Sequence, residues 1–232
     1  MIISIHQPNF IPWIGYFFKI YKSDVFVILD NVQFTKNGFT NRNQIKTPQG
    51  PIWLTLPVIQ SGKFGQNINE CLIFNKAQNV KKIISSLNGN YKRAAHFEKY
   101  VDKLSAILNE TNDNLAEVNI KLINWLLTEL EIKTKIVLAS ELKNIEGEST
   151  ERLVSICKNL GGKKYLAGLG AKKYQEDALF LENKIEIINT PFKYPLYHQM
   201  WGDFMTNLSV LDVLFNCGAD TKTILQNSYN AE

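Results

Sequence analysis

The chain has 232 residues, 45% of them hydrophobic and 21% charged, with a formal net charge of +4, ample for a buried core in one large domain. The positive excess is weak and scattered, which suits an anionic small-molecule substrate and excludes a dedicated nucleic-acid surface. No run of about 18 apolar residues occurs, so no membrane span is expected, and Cys71, Cys157 and Cys217 lie far apart, with no CxxC pair and no leader segment, which predicts a reduced cytoplasmic protein.

Ile2 to Ile5 is a β-branched apolar run closed by His6-Gln7-Pro8, the pattern of a first strand ending in a turn. Pro12 falls where a first helical turn tolerates proline, and WIGYFFKIYKS predicts a helix with almost no polar face. Asp24 then precedes VFVIL, an unbroken apolar run that reads as a parallel strand covered on both faces. Strand, helix, strand should cross over right-handed. FTNRNQIKT and IWLTLPV around PQGP predict a β-hairpin within 36–59.

Helical periodicity fills 76–131 in three stretches. Val80, Ile83, Ile84 and Leu87 mark the first; Phe97, Tyr100, Val101, Leu104, Ile107 and Leu108 the second; Leu115, Val118, Leu122, Leu126 and Leu130 the third. Asn88-Gly89-Asn90 and Asn112-Asp113-Asn114 read as the breaks between them. TKIVLAS is the next strand, and Ser149 caps a helix carrying Leu153, Ile156, Cys157 and Leu160 that stops at Gly161-Gly162. A strand in KKYLAG, a glycine loop, a helix from about Ala171, a strand in KIEIINT and a final helix, LSVLDVLFN, complete the chain. The expected fold class is α/β: a mainly parallel sheet flanked by helices, one domain over 1–232, with the hairpin and the helical insertion packed over its ligand-binding edge.

Candidate chemistry gathers at the strand ends. His6 lies at the carboxyl end of the first strand, where open α/β sheets bind ligands; it serves either as general acid or base, helped by Gln7 and Asn9, or as a backbone-bonded turn residue. Asp30 ends the second strand and either orients His6 or a substrate hydroxyl, or caps the following turn. Arg42 between Asn41 and Asn43 offers a planar fork and two amides to a carboxylate or phosphate, although strand alternation points the amides one way and the guanidinium the other. Gly168, Gly170 and Lys172 in LAGLGAKKY form a strand-to-helix loop able to bind an anion through backbone N–H groups, or a mere tight turn. Tyr197, His198, Gln199 and Trp201 suit the face of a sugar or nucleoside, or the packing of a loop under the last helix. His96 reads as structural. No metal is predicted, because the three histidines lie far apart without HxxE or CxxC spacing, and no GxSxG elbow occurs. His6, Asp30, Arg42 and Gly168 are expected around one pocket.

Four blocks resemble the WbqC-like proteins in order and spacing: HQPNFIPWIGYFFKI, DNVQFTKNGFTNRNQIKTPQGPIWLTLPV, YLAGLGAKKY and YHQMWGDFMTNLSVLDVLFNCG. The resemblance spans nearly the whole chain and implies a bacterial protein associated with surface-polysaccharide gene sets, O-antigen among them. Through that association it implies a transferase moving an acyl or aminoacyl group onto an amino sugar or sugar nucleotide. His6 would then be the base, Arg42 and the Gly168–Lys172 loop the contacts to an anionic sugar nucleotide or activated acyl donor, and the C-terminal aromatics the sugar wall; no cofactor is assigned. The first 34 residues also resemble the layout of HIGH-type nucleotidylyltransferases, with Gly15 on the motif glycine but Trp13 and Tyr16 on its two histidines. Nucleotidyl transfer on a degenerate scaffold, and a non-catalytic module that binds a glycan intermediate, are the alternatives.

Overall fold

The computed structural model describes residues 1–168, 176–189 and 192–229. Strand β1 (Ile2–His6) leads into helix α1 (Ile14–Tyr21), whose N-cap is Trp13, so Pro12 precedes the helix instead of occupying its first turn. Strand β2 (Val25–Ile28) is buried along its whole length. The hairpin β3 (Arg42–Thr47) and β4 (Gly50–Thr55) pairs antiparallel around Pro48-Gln49. Gly50 takes φ +109° there, a backbone shape that a side chain strains. Helices α2 (Lys76–Tyr91), α3 (Phe97–Glu110) and α4 (Leu115–Glu129) follow. Strand β5 (Lys135–Leu138), helix α5 (Ser149–Asn159), strand β6 (Lys164–Leu166), helix α6 (Asp177–Glu182) and strand β7 (Glu186–Ile188) resume the alternation. Helices α7 (Val210–Cys217) and α8 (Thr221–Gln226) close the described chain.

The five sheet strands run in the order β5-β2-β1-β6-β7, every neighbouring pair parallel. The class is therefore α/β, with the hairpin as a separate small sheet. Phe26 and Ile28 of β2 face one cluster with Phe17 and Ile20 of α1, Leu122 and Leu126 of α4 and Phe215 of α7. Ile3, Ile5, Val25 and Val27 face the other way, against Val154, Ile156 and Cys157 of α5 and Phe180 of α6. Helices thus cover both faces, as unbroken apolar strands require. The chain builds outward from β1 through β2 to β5, then crosses back over β1 to lay down β6 and β7. That reversal falls between β1 and β6.

Three local expectations change. Asn88-Gly89-Asn90 does not break the helix: α2 runs through it to Tyr91. Glycine inside a helix costs about 1 kcal/mol, less than the roughly 1.5–3 kcal/mol gained by fully burying a large apolar side chain, and Leu87 and Tyr91 are both 0% exposed. Asn88 and Asn90 also donate back to the carbonyls of Ile84 and Ser86, at 2.9 and 2.8 Å. Ser149 does not cap α5; it is the first helical residue at φ 47°, and Glu148 holds the cap position. The start expected for a helix at about Ala171 lies outside the described residues, and α8 follows the helix expected to be last.

Asn119 of α4 ties the helical block to the turn after β1. It is 0% exposed, and its Nδ2 donates to the carbonyls of Pro8 at 2.8 Å and Thr40 at 2.7 Å. Both partners can only accept, which fixes which end of the amide faces them. Asn119→Leu should lower the unfolding free energy by about 2–6 kcal/mol, since each of the two buried carbonyls left without a donor costs about 1–3 kcal/mol. Urea denaturation checks this, and an unchanged midpoint would mean that water replaces the amide at no loss.

Candidate functional site

Open parallel sheets bind ligands outside the carboxyl ends of their strands, at the point where the chain reverses. A cavity of about 520 Å³ lies there, within the range that holds a small organic ligand. His6 lines it from the end of β1, Tyr16, Phe18 and Lys19 from α1, and Leu166, Ala167 and Gly168 from the end of β6. Trp13, Gly15, Phe39, Phe192, Tyr194 and Asn207 complete the wall.

The backbone that carries the wall is held by buried polar bonds. Ile11, a β-branched residue, sits at φ 42°, a conformation that persists only where its surroundings over-determine it. Its carbonyl accepts from Asn43 Nδ2 at 2.7 Å and Ser209 Oγ at 2.9 Å, and the Pro12 carbonyl accepts from Val210 N at 2.8 Å. This turn delivers Trp13 to the cavity. A Cβ on Gly15 would lie 2.9 Å from Trp13 Nε1 and 3.1 Å from Phe192 Cε1. Glycine is therefore what leaves room for the indole and the phenyl ring against this turn of α1.

His6 Nδ1 lies 3.1 Å from the Gln7 carbonyl. A carbonyl only accepts, so Nδ1 carries the proton and Nε2 keeps its lone pair. The ring meets Tyr16 and Trp13 edge-on, at centroid distances of 5.0 and 5.8 Å. Burial first, then the charge of Lys19, pushes its pKa down to about 4, against the bond to Gln7. His6 is therefore a neutral imidazole near pH 7. Tyr16 donates its hydroxyl to the same Gln7 carbonyl at 3.1 Å, and burial raises its phenol.

Lys19 was not among the residues singled out from sequence. It is 9% exposed, and its Nζ donates to the Ile5 carbonyl at 2.8 Å. Burial lowers its pKa to about 7, opposed by the Cys157 thiol. No carboxylate among the described residues pairs with it. The signal was legible in principle: one lysine in an apolar helix, four residues after Gly15 and three after Tyr16, shares their helix face.

The expected pocket of His6, Asp30, Arg42 and Gly168 is corrected: His6 and Gly168 line one cavity, and Asp30 and Arg42 do not. Asp30 is 3% exposed and accepts from Ser140 N at 3.0 Å and Ser140 Oγ at 2.6 Å, so it fixes the turn after β5. The Arg42 guanidinium stacks on Trp53 at 4.2 Å and donates to the Asn37 carbonyl at 2.5 Å. Trp53 in turn meets Phe39 at 5.8 Å, and Phe39 meets Trp13 at 5.5 Å, so Arg42 braces one wall from outside.

Asn41 spends its amide on the Leu56 carbonyl, as Asn43 does on Ile11. Gln7 accepts from Thr40 Oγ1 at 3.3 Å, and Asn9 is buried; neither lines the cavity. Gly170 and Lys172 lie outside the described residues.

Tyr197, His198, Gln199 and Trp201, expected as a sugar wall, do not line this cavity. Tyr197 donates to Asp212 at 2.8 Å, Gln199 donates to Tyr197 at 3.0 Å and accepts from Lys46 at 3.0 Å, and Tyr91 closes the network on Asp212 at 2.6 Å. Burial raises the pKa of Asp212. Trp201 donates to the Asn90 carbonyl at 3.0 Å, and His198 is exposed. The same segment does reach the cavity, through Phe192, Tyr194 and Asn207, with Tyr194 donating to Asn207. Among the described residues no group of three His, Cys, Asp or Glu could hold a metal ion, and no helix is long and apolar enough to cross a membrane.

Both shifted groups hold fewer protons in the folded chain than in the unfolded one. His6 moves from 6.5 to about 4 and Lys19 from 10.5 to about 7. These two groups therefore contribute stability that rises with pH through each window, since the unfolded state binds the extra proton there. Above about 9 the raised thiols of Cys71, Cys157 and Cys217 act in the opposite sense. Lys19→Met should flatten the upper rise, which starts at about 7, and narrow the lower one, because the Lys19 charge is the second cause of the His6 shift. Denaturation midpoints followed across pH check this; a Met variant that keeps the alkaline rise would show that Lys19 is not its source.

A family model described as the WbqC-like protein family matches residues 7–224. An uncharacterized protein of Mycobacterium tuberculosis (strain ATCC 25618 / H37Rv), Rv1507c, is 38% identical over 226 residues, covering 97% of each chain. No solved structure matches. With the match running from the turn after β1 into α8, the chain belongs to the WbqC-like protein family.

Proposed function

We propose that the chain is a group-transfer enzyme acting at the cavity between β1 and β6, moving an acyl or aminoacyl group onto the amine of an amino sugar or sugar nucleotide in bacterial surface-glycan assembly. The observation that carries the reading is His6: a neutral imidazole whose Nδ1 proton is committed to the Gln7 carbonyl, lining an aromatic cavity at the chain-reversal point. The glycan setting comes from the family resemblance.

In this reading the acceptor amine attacks the acyl carbon while Nε2 of His6 takes its proton. The bond from carbon to the leaving group breaks, and the proton passes from His6 to the departing atom. An uncharged imidazole keeps that lone pair free at neutral pH. Trp13, Phe39 and Phe192 offer flat apolar faces to a sugar ring or an acyl group, and Tyr194 and Asn207 place polar tips beside them. Nucleotidyl transfer ranks lower, because Trp13 and Tyr16 line the cavity at the positions where that chemistry needs imidazolium donors to phosphate.

The test is a screen of acyl-thioester and aminoacyl donors against nucleotide amino sugars, with products read by mass spectrometry. On the productive pair, His6→Gln should lose about 10²–10⁴ in kcat, the usual contribution of a general base, with the thermal midpoint within a few degrees. Full turnover in that variant would remove His6 from the mechanism. No exchange of labelled pyrophosphate into the common nucleoside triphosphates is expected, and exchange abolished by EDTA would put nucleotidyl transfer first.

A further inference from the structure

Lys19 lines the cavity as a nine-tenths buried amine, and no negative group stands opposite it among the described residues. The groups that face it come from each packed element. His6 of β1 is neutral near pH 7, and burial pushes the Cys157 thiol of α5 up to about 12, so it is neutral as well. The Tyr165 ring of β6 lies 5.8 Å from Nζ, its hydroxyl held protonated by burial. The Ile5 carbonyl takes one of the three N–H donors of the ammonium. Past it is Gly168, where a Cβ would come 3.8 Å from Nζ, so the absent side chain leaves room on that side.

A buried cation without a counter-charge is costly, and proteins keep one where something else supplies the charge. We infer that the cavity is built for a small molecule with an apolar, ring-sized body and a single anionic group, which seats on the Lys19 amine. The inference rests on the cavity being the substrate site and adds what that site selects. The aromatic walls set the body, and Lys19, the one charged side chain lining the cavity among the described residues, matches one negative charge. The same contact would couple to His6. An anion that neutralises Lys19 removes the second cause holding the imidazole's proton affinity down, so His6 becomes a better base only when the cavity is occupied.

The test uses the intact chain and a matched pair of dyes: anilinonaphthalene sulfonate, an aromatic body with one sulfonate, and phenylnaphthylamine, the same body without it. At about pH 6.5 the wild type should bind the sulfonate about 10- to 100-fold more tightly, the range expected of one charge-assisted hydrogen bond. That preference should fall by up to about tenfold per pH unit above the Lys19 midpoint of about 7, because the bound anion must then draw a proton onto the amine. Lys19→Met should abolish both the preference and its pH dependence while holding the neutral dye within about twofold. A Met variant that prefers the sulfonate as the wild type does, or a wild-type preference independent of pH, overturns the inference. If the Met variant does not fold, the wild-type pH profile decides alone. Equal binding of the two dyes by the wild type removes the anion and leaves the cavity reading standing; binding of neither overturns both.

Discussion

Strand β6 pairs with β1 only at Ile2↔Lys164 and Ile3↔Tyr165, whereas β2 pairs with β1 from Ile3 to His6. The upper half of β1 therefore has a strand on one side and a gap on the other. That gap exists because β6 spans only Lys164–Leu166 and pairs with just Ile2 and Ile3 of β1. A backbone carbonyl left open in such a gap needs a donor, and at Ile5 the donor is Lys19. The lysine is drawn into an apolar place by an unpaired acceptor, and the cavity forms around it.

Most of the other buried polar side chains near the gap hold irregular backbone in place. Asn119 clamps the turn after β1, Asn43 and Ser209 secure the left-handed Ile11, and Asp30 fixes the turn after β5. Gln199 and Lys46 anchor the C-terminal segment in the same way, through the backbone of Met205 and the carbonyl of Asp203, and Tyr197, Tyr91 and Asp212 brace Gln199. Buried backbone groups outside helices and strands must be paired with something, and these amides and carboxylates do that. Their effect on the site is indirect: they hold the turn that delivers Trp13 and the segment that brings Phe192 to the cavity beside Gly15.

Lys19 acts on His6 through the low-dielectric space they share. The Lys19 charge is the second cause, after burial, of the low pKa of His6. A site arranged in this way resists protonation at both positions while empty. Its electrostatics change with whatever occupies it, since an added negative charge would stabilise both cations together.

The sequence by itself determined the α/β class, the strand-like runs of β1, β2, β5 and β6, the hairpin and the three middle helices, because hydrophobic period and turn residues are local properties. It also placed His6 and Gly168 at strand ends, where ligands bind. The roles of Asp30, Arg42, Asn41, Asn43, Tyr197 and Gln199 were not legible in it. A polar residue at a strand end looks the same whether it meets a ligand or a carbonyl from a distant segment, and Asp30 finds Ser140 across 110 residues. Lys19 shows the converse. In sequence it is one cation in an apolar helix, and only the short pairing of β6 with β1, which leaves the carbonyl of Ile5 open beside the cavity, decided that it turns inward.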